Sequence, residues 1–233
     1  DIFINKQVNS EIRDKIDKSL EKNTSNKYFF GKDFNIARSE NGFIQYQDQL
    51  GELVLPEPSI LGDHQLYNIS TSIAASRKIF NIKDEHIKNG VKNISLKARL
   101  EEIKSGKLKD IAGNNKLIID GGHNISASFS IANWIKNQSE DVNLIVGMMK
   151  DKEHIEFVKA FENIVNSITL IDIPNQDGAI SKEDFRKKLD SLKLNLKLSN
   201  GIEESIKSLS KNENTIILCV GSLYLAGEIL SLN

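Results

Sequence analysis

Beyond about residue 98 the apolar positions fall into short solid runs separated by stretches of helical spacing. The runs at 117–120, 143–146, 168–173, 194–198 and 215–220 read as strands. Between and after them, 125–138, 153–164, 181–191, 201–210 and 222–231 carry apolar residues at the three-to-four-residue interval of a buried helix face. Parallel neighbours need helical crossovers, so this alternation predicts an α/β class domain: three layers around a mostly parallel, doubly wound sheet from about residue 90 to the end.

The first third reads differently. Ile12, Ile16 and Leu20 make a surface helix that leads into a strand at Tyr28-Phe29-Phe30. From 34 to 55 the pattern is short strands, with Asn41-Gly42 as a hairpin turn and Gln49-Leu50-Gly51 as a second. Beyond Pro56 and Pro58, the residues Leu66, Ile69, Ile73 and Phe80 share one face of a helix that Asp63 is placed to cap. The polar, lysine-rich stretch 81–97 is the expected linker, which gives domains of 1–88 and 89–233. The first of these resembles the edge of a larger domain.

Composition narrows the classes. With 31 basic and 32 acidic residues the formal charge is −1, so there is no positive field to hold nucleic acid or an anionic membrane. One cysteine, Cys219, excludes an internal disulfide, and the four histidines show no metal-ligand spacing, so a reducing cytoplasm is expected. The uncharged run 216–227 is far short of the roughly 20 residues of a membrane helix. Lysine outnumbers arginine 26 to 5, which draws attention to each arginine. The chain begins at Asp1 rather than methionine, which points to a trimmed chain or a piece of a longer protein.

Four segments carry chemistry. Leu117-Ile118-Ile119-Asp120-Gly121-Gly122-His123-Asn124 is a buried-type strand running through a glycine turn into a helix. In open α/β sheets ligands bind at the carboxyl ends of strands, where Asp120, His123 and Asn124 fall; a tight turn with Asn124 or Ser126 as helix cap fits the same residues. In Gly62-Asp63-His64-Gln65-Leu66-Tyr67-Asn68, His64 and Asn68 share a helix face beside Gln65, a patch suited to a flat polar edge or simply a solvated helix start. Arg99-Leu100-Glu101 offers a fork for phosphate oxygens or a surface ion pair. In Val220-Gly221-Ser222-Leu223-Tyr224 a strand exits into a helix N-terminus, a potential anion site or a plain turn.

In this order the segments resemble the carboxyl-terminal part of folylpolyglutamate synthase and dihydrofolate synthase, of the Mur-ligase-like amide ligases, from about residue 30 to the end. Gly62, His64, Gln65 and Asn68 match a Gly-x-His-Gln-x-x-Asn block; Arg99 and Glu101 an Arg-x-Glu block; Asp120, His123 and Asn124 an Asp-x-x-His-Asn block. Gly147-Met148-Met149-Lys150-Asp151-Lys152 is similar to a Gly-Met-x-x-Asp-Lys block, and Gly221, Ser222 and Tyr224 match the Gly-Ser-x-Tyr ending. Ile125 stands where the family usually has proline.

The resemblance implies part of a central ATPase domain followed by a Rossmann-like, Mur-ligase carboxyl-terminal-like domain. It implies ATP-dependent addition of L-glutamate to dihydropteroate or folates through an acyl phosphate, by a cytoplasmic monomer with small-molecule partners and neither nucleic acid nor membrane. Asn68 would then meet the adenine, Arg99 the phosphates and Asp120 the ribose, with His64 a further nucleotide contact and His123 beside nucleotide and glutamate. Asn124 would be a further nucleotide contact, and Ser222 would contact nucleotide or glutamate. The family's P-loop, magnesium ligands and modified lysine lie upstream, and no G-x-x-x-x-G-K-[S/T] occurs in these 233 residues. The chain alone is therefore expected to be inactive. A peptidoglycan-precursor ligase and a non-catalytic binding module of the same fold stay open as alternatives.

Overall fold

A computed structural model describes residues 1–7, 10–80 and 82–233, with the Asp63 side chain outside the described atoms. The chain forms two compact units, Asp1–Ser95 and Leu96–Asn233.

In the first unit, β1 (Ile2–Ile4) pairs in parallel with β2 (Lys27–Phe29) across the helix α1 (Ser10–Leu20), and Phe3 stacks on Tyr28 with ring centroids 4.8 Å apart. β3 (Phe34–Arg38), β4 (Ile44–Asp48) and β5 (Gly51–Leu55) form an antiparallel meander. Its turns fall at the two places the sequence marks, with Gly42 at φ 79° and Gly51 at φ 114°, where glycine avoids the steric cost other residues would meet. One face of this meander buries Phe34, Ile36, Ile44, Tyr46, Leu53 and Leu55 against Leu66, Ile69 and Ile73 of α2 (Asp63–Ile79).

Three expectations change here. Gly62, at φ 99°, occupies the cap position of α2, and Asp63 is its first residue. Phe80 lies just past the end of that helix in extended backbone and is 60% exposed, so it is not part of the buried face. The stretch expected as a linker contains α3 (Asp84–Lys92), whose Ile87 and Val91, four residues apart, are buried in this unit's core. A helix that buries only one residue per turn leaves a mostly polar sequence, hence its linker-like reading.

The second unit carries a six-stranded sheet in the order β10-β9-β8-β11-β7-β6. β7 (Lys116–Ile119), β8 (Val142–Val146), β9 (Ser167–Leu170), β10 (Leu196–Leu198) and β11 (Ile216–Val220) are parallel, and β6 (Glu101–Ile103) closes the β7 edge antiparallel. From β7 the chain steps outward through β8, β9 and β10, with α5 (Ile125–Lys136), α6 (His154–Lys159) and α7 (Lys182–Lys188) packed on one face. It returns across the other face, where α4 (Lys107–Ala112), α8 (Ile202–Leu209) and α9 (Leu223–Leu232) pack, and inserts β11 between β8 and β7.

Both sheet faces are thus covered. Along β11, Ile216, Leu218 and Val220 join one core while Ile217 and Cys219 join the other. Each such side chain contributes roughly 1.5–3 kcal/mol of burial, which is why the strand reads as a continuous apolar run. The late return of β11 also sets the carboxyl ends of β7, β11 and β8 side by side, the position at which open α/β sheets take ligands.

Candidate functional site

Backbone bonds fasten these three strand ends together. The Asp120 amide donates to the Cys219 carbonyl at 2.9 Å, the Gly221 amide to the Gly122 carbonyl at 2.9 Å and the Gly147 amide to the Val220 carbonyl at 3.3 Å. Two glycines make the fit possible. At Gly221, φ is 108° and a Cβ would lie 2.6 Å from the Gly147 carbonyl oxygen; at Gly121 a Cβ would lie 2.2 Å from Leu223 Cδ2 and 3.3 Å from an Arg99 nitrogen. Arg99 and Leu223 therefore close directly over the turn after β7.

Asp120 is 5% exposed, and each carboxylate oxygen accepts a main-chain N–H: Gly122 at 2.7 Å on Oδ1 and Leu100 at 2.9 Å on Oδ2. The Gly121 amide donates to the Ala98 carbonyl at 2.9 Å. On the other side, Glu101 Oε2 accepts from the Ala98 amide at 2.8 Å while Oε1 pairs with Lys97 Nζ at 2.8 Å. Three of these bonds, at the Leu100 amide, the Ala98 amide and the Ala98 carbonyl, land on the residues that flank Arg99. Those two residues, Ala98 at φ 54° and Leu100 at φ 47°, are in the left-handed region, a cost of about 1–2 kcal/mol each for residues with a Cβ. The bonds from Asp120, Gly121 and Glu101 offset it.

The guanidinium so held is half-buried. One N–H donates to the Ala98 carbonyl at 3.2 Å, and no carboxylate pairs with it among the described residues. An arginine offers five donors, so most of this fork is open to an anion.

His123 Nδ1 lies 2.9 Å from the Gly121 carbonyl oxygen; a carbonyl only accepts, so Nδ1 carries the hydrogen and Nε2 is the nitrogen left for a ligand. Asn124 caps α5, its Oδ1 accepting from the Ala127 amide at 2.9 Å. Ser222 caps α9, its Oγ accepting from the Tyr224 amide at 3.0 Å, and is 3% exposed. The structure thus brings Arg99, Asp120, His123, Asn124 and Ser222 to one end of one sheet. Asp151 in the loop after β8 has its carboxyl held below the usual range, first by Lys152 at 2.9 Å and in smaller part by His123.

His64, Gln65 and Asn68 lie on the first turns of α2 in the other unit. Asn68 Nδ2 donates to Gln65 Oε1 at 3.1 Å and its Oδ1 accepts from Asn5 Nδ2 at 2.8 Å. Gln65 is 3% exposed and Asn68 is exposed, so Gln65, Asn68 and Asn5 form a hydrogen-bonded cluster at the start of α2.

Glu101 and Leu223 also belong to the site, and the sequence alone assigns neither a role. Glu101 stood in the Arg-x-Glu spacing; nothing in the sequence marks Leu223. His154, in contrast, is a core residue. It is 3% exposed, Nε2 donates to the Met149 carbonyl at 3.0 Å, Nδ1 faces Lys188 Nζ at 3.4 Å, and its ring meets Phe185 edge-on with centroids 5.1 Å apart. Burial, then Lys188, pushes its pKa down.

The mostly parallel sheet and its covering helices make the fold of the solved folylpolyglutamate synthases. The structure of Mycobacterium tuberculosis folylpolyglutamate synthase complexed with ADP and AMPPCP matches 99% of this chain and 54% of that one, at a TM-score of 0.83 and 17% identity. The bifunctional folylpolyglutamate synthase/dihydrofolate synthase of Yersinia pestis, complexed with AMPPNP and a manganese ion, matches 97% of this chain and 50% of its own at a TM-score of 0.76 and 19% identity. The chain belongs to the dihydrofolate synthetase family: the family's "Dihydrofolate synthetase, C-terminal domain" matches residues 104–232, more than half of the sequence. A probable dihydrofolate synthetase of Schizosaccharomyces pombe is 23% identical over 191 residues, 72% of this chain. The chain spans 42% of that relative's length and about half of the solved chains.

Proposed function

We propose that this chain supplies the carboxyl-terminal part of an ATP-dependent ligase that joins L-glutamate to dihydropteroate, to folates, or to both. The carrying observation is Arg99: a half-buried guanidinium with no carboxylate partner among the described residues, held at the ligand end of the sheet in a member of this family. The match to the dihydrofolate synthetase domain favours the folate branch over peptidoglycan-precursor ligases. On this reading the first unit is part of the central ATPase domain and the second is the Mur-ligase carboxyl-terminal-like domain, in a cytoplasmic, monomeric enzyme.

The residues present fit a nucleotide. Arg99 has donors to spare for phosphate oxygens. The Asp120 carboxylate, held in place by the Gly122 and Leu100 amides, is an acceptor of the kind that ribose hydroxyls need. His123 offers Nε2, while Asn124 and Ser222 present the two helix N-termini at the same sheet end. Bound ATP supplies the phosphoryl group that turns the acid substrate into an acyl phosphate open to the glutamate amine. Arg99 would stabilise negative charge on the phosphoryl group in transfer, and His123 would orient the incoming reactant. Among the described residues no group of three or more His, Cys, Asp and Glu could hold a metal ion.

The test uses a ligase carrying these residues together with a P-loop segment. Arg99→Ala should lower turnover about 10²-fold or more at saturating ATP; an unchanged rate removes Arg99 from the machinery. The 233-residue chain alone, given Mg-ATP, glutamate and dihydropteroate or a reduced folate, should release no phosphate and form no amide. Turnover above background overturns the assignment of phosphate chemistry to a P-loop segment.

A further inference from the structure

Arg99 is a single side chain between two residues in unfavourable backbone conformations, and the groups that hold it there are named above. Asp120 grips the Leu100 amide from one side, and Glu101 grips the Ala98 amide from the other. Glu101 can do so because its own main chain is fixed: it opens β6 and pairs in register with Ile119, the last residue of β7. Its side chain is 22% exposed, whereas Lys97 on its second oxygen is 71% exposed. The Ala98 bond is therefore the sheltered half of this arrangement, and the lysine pair is a solvated ion pair of small worth.

Resting on the nucleotide reading above, we propose that Glu101 is a positioning residue for Arg99. It touches no ligand; it closes the Ala98–Leu100 clip so that the guanidinium stands over Gly121 before the phosphate arrives. What Glu101 contributes is preorganisation, since a fork already aimed loses less freedom when it binds. An amide oxygen can accept the Ala98 N–H as a carboxylate does, so the role requires an acceptor at this position rather than a charge.

The experiment measures binding of ADP and of inorganic tripolyphosphate to the 233-residue chain by calorimetry. Glu101→Ala should weaken both by about tenfold or more. Glu101→Gln should stay within about twofold of wild type, and so should Lys97→Ala, which removes only the solvated pair. In an Arg99→Ala background the Glu101→Ala substitution should have no further effect, because nothing is left for it to position. The Arg99 Nε–H resonance should shift in Glu101→Ala and return in Glu101→Gln, a readout that a general loss of stability does not reproduce. Binding abolished by Arg99→Ala but untouched by Glu101→Ala overturns the positioning role and spares the nucleotide site. Equal losses from Glu101→Ala with and without Arg99 also overturn it. Absence of binding by the wild-type chain overturns both readings together.

Discussion

Arg77 and Arg99 stand in the two units and meet opposite fates. Arg77, on α2, has a side chain only 9% exposed; it pairs with Asp48 Oδ1 at 3.0 Å and lies 3.7 Å from Asp84. The second Asp48 oxygen accepts from the hydroxyl of fully buried Tyr46 at 2.9 Å, and burial, then Asp48, drives that phenol's pKa far up. Every charge in that cluster is answered by another, which makes it a structural joint between β4, α2 and α3. Arg99 is held as firmly, but through the backbone on either side of it, and no carboxylate pairs with it among the described residues. An arginine whose main chain is fixed and whose guanidinium is unpaired is equipped for a ligand; one paired on all sides is equipped for packing.

Substitutions separate the two cases. Arg77→Ala should cost about 3–5 kcal/mol in denaturant unfolding, because it leaves Asp48 buried without its cation; a loss under 1 kcal/mol would show that the joint is not structural. Gly221→Ala should come next. With φ at 108° and the Gly147 carbonyl 2.6 Å from the new Cβ, backbone strain alone costs about 1–3 kcal/mol, and a variant as stable as wild type would mean that the stitched strand ends can part freely.

A smaller effect comes from His154. Folded, it holds its proton less tightly than at its ordinary value of 6.5, so the unfolded chain takes up the proton first as the pH falls. Stability from this group is present above pH 6.5 and drains away on acidification from there down to the lowered folded value. The wild-type minus His154→Gln stability difference should shrink across that window, and a difference independent of pH from 7.5 to 5 would contradict the neutral, buried assignment. Least of all, Arg99→Ala should change stability by only about 0.5 kcal/mol while it weakens nucleotide binding. A destabilisation matching that of Arg77→Ala would erase the contrast.

How far the sequence revealed these features depended on how many side chains each one buries. β7 and β11 are legible because Leu117, Ile118 and Ile119, and likewise 216–220, are apolar on both sides of the chain. β6 escapes notice because an edge strand needs to bury only Ile103, and Glu101 and Glu102 before it look like loop. α3 hides in a lysine-rich stretch for the same reason. At the site, Asp120, His123, Asn124 and Ser222 stand at strand-to-helix exits, and Asn124 and Ser222 also fill the cap position that their short polar side chains suit. The clip around Arg99 left no such trace. Alanine and leucine seldom adopt positive φ, so Ala98 and Leu100 gave no turn signal, and only the Leu100–Asp120 and Ala98–Glu101 bonds account for them.

β6 is three residues long, has one neighbour and buries one side chain, so it is among the first parts of the sheet to fray. Glu101 is both its first residue and the acceptor for Ala98. Each local opening of that short edge lets go of Arg99 while the parallel strands and both cores stay closed. On the nucleotide reading proposed above, the fraction of molecules ready to receive a phosphate is then set by a fast local equilibrium over a few residues, to which a melting temperature is blind and the amide exchange rates of Ala98 and Leu100 are not.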